Sequence, residues 1–74
     1  MFRKTKLKKG IKRAKKTILM LEKKRTRSQA ALVEAILTHQ SPDDSDVEYF
    51  NRFTELIEAE RNKMHNLMKE LDNL

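Results

Sequence analysis

The feature that most constrains this chain is a set of residues spaced four, three, four, three. They are Leu7, Ile11, Ala14, Ile18, Leu21, Arg25, Ser28, Leu32, Ala35 and His39. That spacing keeps one side of a helix turned toward a partner helix, and most of the set is apolar or small. A second set alternates in the same way: Phe50, Phe53, Ile57, Glu60, Met64, Leu67, Leu71 and Leu74, flanked by Val47, Thr54, Arg61 and Met68. Between the two lies Gln40-Ser41-Pro42-Asp43-Asp44-Ser45-Asp46, the one stretch dense in turn formers. Proline cannot continue the first helix and suits the first position of a second one. A link this short joins antiparallel neighbours. The expected fold is all-α: an antiparallel two-helix hairpin, coiled-coil-like, with helix over 11–40, a turn over 41–45 and helix over 46–74. Residues 1–10 form a basic N-terminal arm ahead of it.

Two caps compete for the second helix. Ser41 precedes Asp44 by three residues, and Ser45 precedes Glu48 by three, the spacing of a capping box. Folding about residues 42–44 places Phe50 and Phe53 opposite Val33 to Ile36, and Met64 and Leu67 opposite Leu19 to Glu22. Glu60 then faces Arg25 and Arg27, where opposed charges would fix the register. The same register leaves residues 1 to about 11 beyond the reach of the second helix. Gly10 costs a helix about 1 kcal/mol relative to Ala. No acid precedes Glu22 to relieve the like charges around it. The arm is therefore expected to be frayed or only conditionally helical.

Charge divides the chain sharply. Thirteen of the 17 Lys and Arg residues fall in residues 1–27, against Glu22 alone; the remainder carries four bases and ten acids. Such a molecule presents its basic end to a polyanion, pairs its two halves with each other, or does both. Arg3, Lys4, Lys6, Lys8, Lys9, Lys12, Arg13, Lys15 and Lys16 cover most sides of a helix, and the last four lie off the seam. They are the candidate nucleic-acid-binding residues. No helix-turn-helix spacing, zinc finger or aromatic ribonucleoprotein pattern accompanies them, so the expected contact with DNA or RNA is to phosphate and is not sequence-specific.

Apolar character widens toward the turn. From Ala30 to Leu37 only Glu34 is charged, and a helix apolar on most sides needs more than one neighbour. Ala30, Val33, Ile36, Leu37, Phe50 and Phe53 are the candidate interface, either with a second copy in a four-helix bundle or with another protein. Some of these residues are alternatively explained by packing on the turn, Tyr49, Phe50 and Phe53.

Little in the sequence points to catalysis. His39 and His65 belong to no metal-ligand pairing, cysteine is absent, and the acidic turn lacks the glycine and distal Glu of a calcium loop. There is no phosphate-binding glycine loop and no nucleophile elbow. We expect no catalytic residue, no metal site and no cofactor. No apolar run approaches the roughly 18 residues of a membrane span, and a cytoplasmic location is expected. The function expected is that of a small basic nucleic-acid-binding or regulatory accessory protein, homo-oligomeric. The alternative is a protein–protein adaptor, scaffold or chaperone that docks a partner on its apolar faces.

Overall fold

The structure, a computed structural model, describes residues 2–74; Met1, the first residue of the expected arm, lies outside the described residues. Helix α1 runs Phe2–Leu37 and α2 runs Asp44–Asp72. They pack against each other along their length as a rod of 56 × 16 × 15 Å. Both seams turn inward as their spacing requires, except at their ends, where His39 and Leu74 are exposed. Leu7, Ala14, Ile18, Leu21 and Ser28 are buried on α1, and Ile11, Arg25, Leu32 and Ala35 are half-buried. On α2, Ile57 is 1% exposed, the most deeply buried residue of the core; Phe50, Phe53, Glu60, Met64, Leu67 and Leu71 are half-buried. Ile18, Leu21 and Ile57 form the central cluster, with Phe53 and Met64 against it.

The turn differs from the expected one, and it changes the register. Helix α1 stops at Leu37, not at Gln40. His39 takes a left-handed backbone conformation (φ 56°), its N–H donates to the Ile36 carbonyl at 3.2 Å, and the Gln40 N–H donates to Ala35 at 2.8 Å. This is the paired 6→1 and 5→2 bonding of a Schellman C-cap, usually built on glycine. Histidine tolerates that region better than most residues. Neither serine caps α2. Asp43 stands at its N-cap in extended conformation, and its carbonyl accepts the Asp46 and Val47 N–H groups. Pro42 precedes that cap and is not the first helical residue. Asp44 and Asp46 in the first turn and Lys69 in the last complement the helix dipole.

With both helices ending earlier in sequence than expected, α2 slides toward the start of α1. Leu67, expected opposite Leu19, lies against the Gly10 position, where an added Cβ would sit 3.1 Å from Leu67 Cδ1. The displacement there is about two and a half turns. Three expectations fall with it. Glu60 does not pair with Arg25 or Arg27: Arg25 Nη1 donates to Thr54 Oγ1 at 3.2 Å, six residues away, and it is Glu22 that accepts from Arg61 at 3.0 Å. Phe50 and Phe53 do not cover Val33 to Ile36: Phe50 lies under the Arg25 guanidinium, 5.5 Å from ring centroid to Cζ, and Phe53 joins the central cluster. Residues 2–11 are not beyond the reach of α2: Leu7 is buried, and the Arg3 guanidinium forms an ion pair with Glu70.

Candidate nucleic-acid interface

Helix α1 carries thirteen bases against Glu22 and Glu34, and α2 carries four bases against eight acids. Cross-hairpin attraction uses little of this difference. Among the described residues only two ion pairs form, Arg3 with Glu70 and Glu22 with Arg61. Arg3, Lys4, Lys6, Lys8, Lys9, Lys12, Arg13, Lys15 and Lys16 are all exposed. All but Arg3 lack an ion-pair partner among the described residues.

The helix sorts these side chains. Leu7, Ala14 and Ile18 face α2, so Lys9 and Lys16, seven residues apart, project from the opposite side. Lys23 stands another seven residues on, at about 10.5 Å per step, where the line reaches the edge of a groove shared with α2. Lys12 and Arg13 flank the line near the N-terminus, and Lys24 and Arg27 flank it further along; all are exposed. The outer side of α1 is thus a cationic stripe longer than the one expected, extending to Arg27. Lys23 was legible from the seven-residue step between Lys9 and Lys16, whereas Lys24 and Arg27 lie off that step. The seam beneath gives the stripe a rigid backing, whereas a free arm would have to be ordered by its ligand.

Beside the stripe, between α1 and α2, runs a groove lined by Met20, Lys23, Lys24, Arg27, Ser28, Asp46, Tyr49 and Phe53. Tyr49 is 54% exposed, and its ring stacks on Phe53 with centroids 6.2 Å apart and planes 16° from parallel. On the opposite flank the groove is more apolar, lined by Ile18, Leu19, Met64 and Met68 with Glu22 and Arg61 across it.

Of the candidate interface residues, Phe50 and Phe53 belong to the hairpin's own packing. Ala30, Val33, Ile36 and Leu37 are exposed, Ile36 to 68% and Leu37 to 73%. The register leaves them alongside the turn, where α2 has barely begun. No group of His, Cys, Asp or Glu among the described residues is arranged to hold a metal ion. Among the same residues no helix is long and apolar enough to cross a membrane.

No protein-family model, curated protein or solved structure matches this chain significantly.

Proposed function

We propose that this protein binds nucleic acid through the outer side of α1, by contact with phosphates and without reading base sequence. The observation that carries the proposal is the stripe of Lys9, Lys12, Arg13, Lys16, Lys23, Lys24 and Arg27, exposed and without ion-pair partners among the described residues, on a helix packed against its partner. Each neutralised phosphate releases condensed counterions, so affinity falls steeply with salt. The log–log slope is about −0.9 per contact on duplex DNA and about −0.7 on single strands. Fluorescence anisotropy with labelled DNA and RNA, at about 50 and 200 mM salt, tests the proposal over the range where such contacts lose orders of magnitude. Reversing Lys12, Arg13, Lys15 and Lys16 to Glu is expected to weaken binding to every sequence alike. The hairpin should keep its helicity, because none of the four is buried. A parent protein that fails to bind at low salt, or a quadruple variant that binds as tightly as the parent, overturns it.

A separate observation supports self-association: Val33, Ile36 and Leu37 are exposed where α2 does not cover them. A second hairpin packed there makes a four-helix bundle. Sedimentation equilibrium at micromolar concentration should give a mass above one chain. A helical monomer would instead assign the apolar end to a different protein, as in an adaptor.

A further inference from the structure

The groove beside the cationic stripe has a chemistry that phosphate binding alone does not need. Lys23, Lys24 and Arg27 supply positive charge along one wall, and Tyr49 with Phe53 supplies an aromatic surface on the other. The two rings lie nearly parallel, so Phe53, anchored on the central cluster, holds the plane of Tyr49. A tyrosine that packs on a neighbouring ring while the residue stays 54% exposed is a surface on which a planar base can stack. We infer that this groove takes single-stranded nucleic acid, with an unpaired base stacked on Tyr49 and the adjoining phosphates on Lys23, Lys24 and Arg27. The inference rests on the nucleic-acid reading above and deepens it by naming the strand state of the ligand.

A duplex does not satisfy this site, because its bases are stacked on one another and offer no free face. Single strands do, and stacking is tolerant of sequence since every base has a π-face. Asp46 also lines the groove and repels phosphate. It lies at the first turn of α2, and three cations stand on the α1 wall, so the backbone tracks α1 while the base turns toward α2. The carboxylate can accept from an exocyclic amino group, as carboxylates do with cytosine.

The sequence supplies its own probe. Tyr49 is the only tyrosine and there is no tryptophan, so intrinsic emission reports on this ring alone. Titration with a single-stranded oligonucleotide is expected to quench it, whereas a duplex of equal length, bound to the same extent by anisotropy, leaves it largely unchanged. Tyr49→Ala should weaken single-strand binding about 5-fold or more and leave duplex binding as it was. Tyr49→Phe, which keeps the ring, should restore it. Circular dichroism checks that Tyr49→Ala keeps its helicity, and quenching of the unmutated protein is read independently of any variant. Single strands that bind without quenching, or that bind Tyr49→Ala as tightly as the parent, overturn this inference and leave the phosphate-binding reading standing. Failure of both strand forms to bind overturns both.

Discussion

At Gly10 the helix gives up about 1 kcal/mol relative to Ala, yet the residue sits in a continuous turn with Leu67 against it. An added methyl would meet Leu67 Cδ1 at 3.1 Å, closer than ordinary contact, but that atom ends a flexible, half-buried side chain. Gly10→Ala is therefore expected to stabilise the hairpin by somewhat less than 1 kcal/mol (~0.5), seen as a higher urea midpoint. Gly10→Leu should lower it, because a branched chain has no room beside Leu67. The charge pairs are a second test at this scale. Glu22 and Arg61 meet at 3.0 Å, but their side chains are 35% and 53% exposed. A double-mutant cycle with Glu22→Gln and Arg61→Met should give a coupling below about 1 kcal/mol. The same cycle on Glu60 and Arg25 should give none, since Arg25 is engaged with Thr54 and Phe50.

The two helices illustrate what a sequence of this kind makes legible. Periodicity reports which side of a helix is covered, and it identified Leu7, Ala14, Ile18, Leu21 and Ser28 on α1 and Ile57 on α2. It is silent on how far one helix slides along the other, because a seam repeating every seven residues fits a partner at several offsets. That offset is set at the turn, and the deciding residue there is His39, whose left-handed conformation no glycine announces. Misplacing the end of α1 shifted the expected partners of Leu67, Phe50 and Glu60, although Met64 still packs on the central cluster that contains Leu21. It also turned the N-terminal residues into a free arm, although residues 2–10 are helical and Leu7 is buried against α2. The cationic residues were legible as charges; their sorting into an outer stripe and a groove wall required the register. Leu7 gives the prediction that separates the two arrangements. It is 7% exposed, so Leu7→Ala should cost about 2 kcal/mol or more, read as a lower denaturation midpoint. Truncating residues 1–9 should do at least as much. An unchanged midpoint would mean that this end of α1 is not packed.

As a whole the molecule is a thin rod; among the described residues the buried ones are five apolar side chains and Ser28, a small core for a chain of this length. Apolar surface remains outside it on both flanks and at the turn: Leu19 and Met68, Met20 and Leu56, and Ile36 with Leu37. Charge is distributed lengthwise as well as between helices. Residues 2–20 carry nine bases and no acid, while Asp43, Asp44, Asp46 and Glu48 crowd the turn. Two hairpins packed side by side in opposite directions would set the acidic turn of each near the basic end of the other. Packed in the same direction, they would oppose like charges at both ends. An isologous antiparallel pair thus satisfies the exposed apolar residues and the lengthwise polarity together. It leaves α1's outer stripes free when each copy meets the other through a flank. Stability of such a pair depends on concentration, because dissociation and unfolding are linked. Each tenfold increase in protein adds about 1.4 kcal/mol and should raise Tm by about 3–6 °C for a unit of this combined size. Ile36→Lys with Leu37→Lys should abolish that dependence, because cations at the turn would then face the basic end of the other copy. Both side chains are exposed in the single hairpin, so the variant should retain its helicity at low concentration. A Tm independent of concentration in the unmutated protein would rule out the pair.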